Sequence, residues 1–221
     1  RVRLDAVSPV YVSDIYMQNQ PERTKVKAIL TVNNTSAKTE KQDIYFSVCE
    51  KENPGKVILE KKLPRVALKQ GTNVVTMELH CPDARIWDLD TPYLYVCGVD
   101  MKSGKKLSDH AAQTFGFRWF EPVGIGKDAM LRLNGRRIML RTAISWGYWP
   151  ATGLYATPEM AEKQVSVAKS MGLNMLNFHR SIGSPVVLEK ADELGLLYYE
   201  EPGAFHSADH DPFIRAMVNI K

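Results

Sequence analysis

The chain has 221 residues, 44% of them hydrophobic, and its 29 Lys and Arg against 25 Asp and Glu leave a net charge of +4. That length holds one or two domains with sizeable cores. The charges are interspersed, and the densest basic pairs, Lys61-Lys62 and Lys105-Lys106, lie in no aromatic-rich stretch, so nucleic acid is excluded as a partner. No apolar run approaches the ~20 residues of a membrane span. Cys49, Cys81 and Cys97 are irregularly spaced, which fits neither a disulfide framework nor a metal-ligand set, and they are expected as buried free thiols. With Arg rather than Met at position 1, upstream sequence is expected, and the compartment is not readable from this end.

From Arg1 to about Phe120 the period is two. Val26, Ala28, Leu30 and Val32 alternate with Lys25, Lys27, Ile29 and Thr31 before the turn cluster Asn33-Asn34-Thr35-Ser36. Further strand-like runs are Ile44–Val48, Val57–Leu59, Val74–Leu79, Tyr93–Val99 and Ala111–Trp119, separated by Asn53-Pro54-Gly55, Lys69-Gln70-Gly71 and Lys102-Ser103-Gly104. Short strands and polar turns at this spacing predict an immunoglobulin-like sandwich. The sequons Asn33-x-Thr35 and Asn34-x-Ser36 are explained by the turn itself, without glycosylation.

After Phe120 the period changes. Leu131–Leu140 predicts a hairpin turning on Asn134-Gly135, with the returning strand running from Ile138 to about Ile144. Thr157-Pro158 predicts a helix start, Thr as N-cap and Pro at the first helical position. Ala161, Val165 and Ala168 follow at helical spacing, and Gly172 suits the left-handed C-terminal position. Leu173–Phe178 is then a short strand. Ser184-Pro185 repeats the start signal, Val187, Leu188, Ala191 and Leu194 form one stripe, and Gly195 closes the helix. Leu196–Tyr199 is continuous and apolar, as a parallel strand covered on both faces requires. Asp211-Pro212 starts a third helix that runs to the end. A closed (β/α)8 barrel takes about 250 residues, and the residues after Arg118 amount to its opening units only.

Six segments occur in order: Ile86-Trp87-x-Leu89…Pro92-Tyr93-Leu94-Tyr95, Thr114-Phe115-Gly116-Phe117-Arg118, Leu133-Asn134-Gly135…Leu140-Arg141, Gly172-Leu173-Asn174-Met175, Ala191-Asp192-Glu193-Leu194-Gly195-Leu196 and Glu200-Glu201. Together they resemble the family 2 glycoside hydrolases, the β-galactosidase, β-glucuronidase and β-mannosidase relatives. The resemblance is weak before residue 84 and strong from 86 to 203. It implies a mixed fold, with an immunoglobulin-like domain at 1–120 and, at 121–221, the truncated N-terminal part of a TIM-barrel catalytic domain. It also implies retaining hydrolysis of β-linked sugars by two carboxylates about 5–5.5 Å apart, on the fourth and seventh barrel strands beyond Lys221. No catalytic residue is therefore assigned within the chain, which is expected to be inactive alone. The implied partner is an oligosaccharide or glycoside, with no cofactor and no metal, and the setting is periplasmic or extracellular. The alternative is a non-catalytic carbohydrate- or protein-binding module with a decayed barrel.

Six residues are candidates for substrate contact: Arg141, Trp146, His179, Arg180, Glu200 and Glu201. Arg141 matches the family's Arg-Gly-x-Asn-x-His segment, whose other positions depart here at Thr142, Ile144 and Trp146. It is expected to form a buried ion pair with Glu201. His179 and Arg180 fall at a strand's carboxyl end, where barrel ligands bind, although Asn177-Phe178-His179-Arg180 departs from the family's Arg-x-Ser-His. Glu200 and Glu201, as neighbours on one strand, point to opposite faces and do not form a catalytic pair. Trp146, Tyr148 and Trp149 offer rings on which a pyranose could stack. His206, Asp209, His210 and Asp211 form a hydrated polar loop rather than a metal site. The uncovered strand and helix stripes predict self-association.

Overall fold

The computed structural model describes residues 6–149, 152–153 and 155–201. The chain divides into two units, Arg1–Trp87 with Tyr93–Phe120, and Asp88–Pro92 with Glu121–Lys221.

In the first unit the alternating segments pair as two antiparallel sheets. Strands β1 (Val10–Asn19), β2 (Lys25–Asn34) and β5 (Gly71–His80) form one, in the order β1-β2-β5. Strands β3 (Glu40–Glu50), β4 (Val57–Leu68), β6 (Tyr95–Ser103) and β7 (Lys106–Phe115) form the other, in the order β4-β3-β6-β7. Val26, Ala28, Leu30 and Val32 of β2 are buried, as are Ile44, Phe46 and Val48 of β3 and Tyr95, Cys97, Val99 and Met101 of β6. Each Val, Leu, Ile, Phe or Met side chain among them contributes about 1.5–3 kcal/mol on burial, so the inner faces hold the sandwich together. Tyr95, Phe115 and Phe117 pack with ring centroids 5.1–6.0 Å apart.

Strand β7 runs Lys106–Phe115 where Ala111–Trp119 was expected, and two further strands depart more instructively. Strand β1 is invisible to a period-two reading because its register shifts between Val12 and Asp14. Burial therefore passes from Val10 to Ile15 and Met17, an even phase giving way to an odd one, as a bulge requires. Strand β4 runs to Leu68 rather than Leu59. It is an edge strand carrying Lys61, Lys62 and Arg65, and Arg65 has φ 51°. Charged side chains and irregular backbone suit an edge that must not recruit another strand.

The sequon at Asn34 is closed. Its side chain is buried, donates to Lys38 O and Leu68 O at 2.9 Å and accepts from Ser36 N and Oγ.

All three cysteines are free; Cys81 and Cys97 are buried and Cys49 is half-buried, short of the full burial expected. Burial pushes the Cys81 thiol up to about 11 and the Cys97 thiol up to about 12. Because the thiolate is the nucleophile, a maleimide or disulfide reagent at pH 8 is expected to label Cys49 alone in the native protein and all three after denaturation. Mass spectrometry of labelled peptides checks this, and rapid native labelling of Cys97 would contradict the packing described.

Trp87 is fully buried. Its backbone N–H donates to Phe117 O at 2.9 Å, its indole lies against Gly116, and the Arg118 guanidinium carbon stands 4.4 Å from the ring centroid.

In the second unit β8 (Phe120–Val123), β9 (Met130–Leu133) and β10 (Arg136–Ile138) form a sheet in the order β10-β9-β8. The turn places Asn134 at φ 52° and Gly135 at φ 79°, the pair of positive angles that the Asn-Gly signal predicts. The expected strand from Ile138 to Ile144 is instead two elements. Strand β10 ends at Ile138, and β11 (Thr142–Ser145) belongs to a different, parallel sheet. An apolar run reads the same on either side of such a break, which is why periodicity joined them.

Then follow α1 (Pro158–Ser170), β12 (Met175–Phe178), α2 (Pro185–Leu194) and β13 (Leu197–Glu200), with the sheet order β11-β12-β13, all parallel. Thr157 caps α1, accepting from Met160 N. Ser184 precedes Pro185 in the same way but makes no side-chain cap bond. Gly172 (φ 77°) and Gly195 (φ 80°) end the helices in the left-handed region. Ala161, Val165 and Ala168 of α1 and Val187 and Ala191 of α2 pack with Leu176, Phe178 and Leu196. The opposite face carries Ile144, Asn177 and Tyr199 in one row. Ile144 is 56% and Tyr199 55% exposed, so among the described residues only one face of this sheet is covered, not the two expected.

The segment Asp88–Pro92 belongs to this unit. Lys169 Nζ donates to Leu89 O at 2.6 Å and also to Leu194 O and Gly195 O at the end of α2. Arg136 pairs with Asp88. The predicted third helix at Asp211-Pro212, and the loop with His206, Asp209 and His210, lie outside the described residues.

Candidate functional site

Parallel strands leave their carboxyl ends together, and here those ends gather polar and aromatic groups. Pairing Ser145 with Phe178 and Phe178 with Glu200 brings the residues just beyond each strand to one rim. Trp146, His179 and Glu201 share the open side, because each lies two residues after a member of the Ile144–Asn177–Tyr199 row. Trp146 and His179 meet edge to face with centroids 4.6 Å apart, and the Arg180 guanidinium carbon lies 5.9 Å from the Trp146 ring centroid.

Glu201 is the hub. Its Oε1 accepts from Asn177 Nδ2 at 3.0 Å, and its Oε2 accepts from Arg180 N at 3.1 Å and faces His179 Nδ1 at 3.0 Å. The Asn177 amide foremost, then the Arg180 N–H and the His179 ring, hold the Glu201 carboxyl below the usual carboxylate range, since each bond favours the charged form. Arg180 is a non-glycine residue at φ 56°. Such strain gathers at functional sites, and here the bond from its own N–H to Glu201 holds it.

Glu200 projects to the other side of β13, where its Oε1 accepts from Gly183 N at 2.9 Å in the loop before α2. The structure thus brings Trp146, His179, Arg180 and Glu201 together and sets Glu200 behind them.

Arg141 is not at this rim, and the expected ion pair with Glu201 does not form. Arg141 precedes β11 at the sheet's amino end, exposed, with Nε donating to Gly172 O at 2.6 Å. The four residues of β11 separate the two ends, about 13 Å at roughly 3.3 Å per residue. Parity alone gave the pairing; position along the strand decides against it. The aromatic platform is also smaller than expected. Trp146 and Tyr148 are 54% and 70% exposed, whereas Trp149 is 9% exposed and packs among Ala161, Leu176 and Phe178.

Asn177 was missed as a site residue. Its position on an alternating strand opposite Ile144 was legible, but the bond to Glu201 that makes it part of the cluster was not. Among the described residues no group of three or more His, Cys, Asp or Glu could hold a metal ion, and no helix is long and apolar enough to cross a membrane.

The described residues form a β-sandwich and a βαβαβ unit with a polar rim, and the family is given by likeness to known proteins. Residues 10–118 match the model for glycosyl hydrolases family 2. The chain is 30% identical over 209 residues to the β-galactosidase of Thermoanaerobacterium thermosulfurigenes, covering 91% of this chain and 28% of that protein. Its structure is similar to a family 2 member from Bacteroides cellulosilyticus (TM-score 0.78, 22% identity, 88% of this chain and 27% of that one). It is also similar to the β-glucuronidase of Parabacteroides merdae (TM-score 0.71, 25% identity, 87% and 23%). The chain belongs to glycosyl hydrolases family 2 and spans 28% of the length of the β-galactosidase it matches.

Proposed function

We propose that this chain supplies an immunoglobulin-like domain at 1–120 and, at 121–221, the first β/α units of a (β/α)8 barrel to a retaining β-glycosidase. Its part in that enzyme is to line the sugar-binding mouth. The acid/base and nucleophile carboxylates, about 5–5.5 Å apart in a retaining enzyme, come from outside these 221 residues. The observation that carries this reading is the convergence of Trp146, His179, Arg180 and Glu201 at the carboxyl ends of parallel strands, where barrel enzymes bind their substrates. Trp146 offers its exposed ring to a pyranose, and His179 and Arg180 offer polar contacts. Glu200 and Arg141 support the loop before α2 and the amino end of the sheet. Self-association through the open face bearing Ile144 and Tyr199, and a periplasmic or extracellular setting, belong to the same proposal.

The test is turnover of aryl β-galactosides and β-glucuronides by the longer gene product and by the purified 221-residue protein. Activity is expected in the first and none in the second, whose mass by light scattering should rise with concentration. Turnover by the 221-residue protein, lost on Glu200→Gln or Glu201→Gln, would overturn the assignment of the carboxylates. No turnover by the longer product, with glycoside binding retained, would favour the non-catalytic binding module instead.

A further inference from the structure

The outer face of the β4-β3-β6-β7 sheet holds an open cavity of about 520 Å³, lined by Tyr45, Ser47, Glu60, Lys62, Asp100 and Lys102. It lies wholly within the first unit. Strand register explains the convergence. Tyr45 of β3 stands opposite Lys62 of β4 and Asp100 of β6, and Ser47 stands opposite Glu60 and Gly98. The lining groups can be reached from solvent, since Glu60 is exposed and Lys62, Lys102 and Asp100 keep 35–43% of their side chains open. A glycine inside a strand marks a bulge, a bend or a close approach by another group. Gly98 keeps its pairing unbroken, with Ser47 on one side and Ala112 on the other, and its φ is not positive. Close approach is the reading left.

The polar heads around the cavity are held in place. Lys62 and Lys102, one from each strand beside β3, set their ammonium nitrogens 4.9 and 4.7 Å from the Tyr45 ring centroid. A ligand therefore meets charged heads rather than a bare ring. Lys62 Nζ pairs with Asp43 at 2.6 Å, and Lys102 Nζ lies 4.0 Å from Asp100, whose other oxygen is 2.6 Å from His110 Nδ1. Glu60 and Lys61 are neighbours on β4. Lys61, Lys62 and Lys102 thus balance Asp43, Glu60 and Asp100, and no surplus of either sign draws a charged polymer. Closely spaced donors and acceptors without net charge match groups that both donate and accept, as hydroxyls do, and hydrogen bonds to ionised partners are the stronger ones. We propose that this cavity is a further saccharide site, which takes a neutral oligosaccharide through hydroxyls shared between the lysine and carboxylate heads. The choice of a saccharide rests on membership of family 2. The site uses none of the groups at the strand-end rim, so it stands or falls separately from the function proposed above.

The probes are cellotetraose, a β-linked galactotetraose and, as their anionic counterpart, a β-linked tetraglucuronate, each titrated into the 15N-labelled 221-residue protein. At least one neutral tetrasaccharide is expected to bind, with amide shifts at Ser47, Glu60, Gly98 and Lys102, and the tetraglucuronate to bind more weakly. Lys102→Met should weaken binding about tenfold, the loss of one hydrogen bond to a charged group. Ser47→Tyr fills the cavity with a residue that strands accept and should abolish binding, its unshifted amide signals elsewhere showing that it folds. Trp146→Ala, at the rim, should leave this binding intact. Binding of neither neutral probe, tighter binding of the tetraglucuronate, loss of binding in Trp146→Ala, or undiminished binding in Lys102→Met and Ser47→Tyr overturns the proposal. Each of these is distinct from failure of the glycosidase reading, which turnover of aryl glycosides by the longer gene product decides.

Discussion

Gly195→Ala is expected to destabilise the second unit by roughly 2–5 kcal/mol, far more than Gly172→Ala. Both glycines end helices in the left-handed region, at φ 80° and φ 77°. An L-residue there costs roughly 1–2 kcal/mol whatever surrounds it. At Gly172 that is the whole effect, since an added Cβ meets nothing within 4 Å. At Gly195 the added Cβ would stand 2.1 Å from Leu89 O and 2.8 Å from Leu89 C, both backbone atoms that no rotamer change can move. Overpacking of this kind adds about 1–3 kcal/mol, and relieving it means displacing Asp88–Pro92 and loosening the Lys169 contact to Leu89 O. Chemical denaturation of the two variants side by side checks this. Equal losses would show that Leu89 does not lie against Gly195.

Trp87→Ala is expected to cost about 3–5 kcal/mol, the range for emptying a buried indole site. The indole is fully buried, sits against Gly116 and lies beneath the Arg118 guanidinium. Trp87→Phe keeps an aromatic face for Arg118 and should lose less than half as much. Gly116→Ala tests the same contact from the other side, because its Cβ would come within 2.9 Å of Trp87 Cβ. Destabilisation by all three, ranked with Trp87→Ala largest in urea melts, is the expected result. A Trp87→Ala protein as stable as the wild type would mean that the indole packs elsewhere.

Much of the fold was legible because the signals were local. The alternation of Val26–Val32, the Asn134-Gly135 turn and the Thr157-Pro158 start each specify backbone conformation over a few residues, and each appears where expected. What was not legible depends on register or on partners distant in sequence. The bulge between Val12 and Asp14 hides β1, and the break after Ile138 hides the change of sheet. In the site, Trp146, His179, Arg180 and Glu201 were legible as residues following strand ends. The choice of Asn177 and His179 over Arg141 as the partners of Glu201 was not. That choice follows from how far along the strand each residue lies, which no face-parity argument contains.

The capture of Asp88–Pro92 by the second unit has a consequence for the order in which structure is gained. Leu89 leaves the ribosome 80 residues before Lys169, the side chain that binds its carbonyl, and still longer before Gly195. These five residues stay idle while the strands on either side of them complete their sheets, and they dock only once α2 has emerged. Closing so large a loop late raises contact order, which slows folding. Vectorial synthesis should therefore show an early protease-resistant product with a cut site near residues 88–92, healed only after about residue 195 is available.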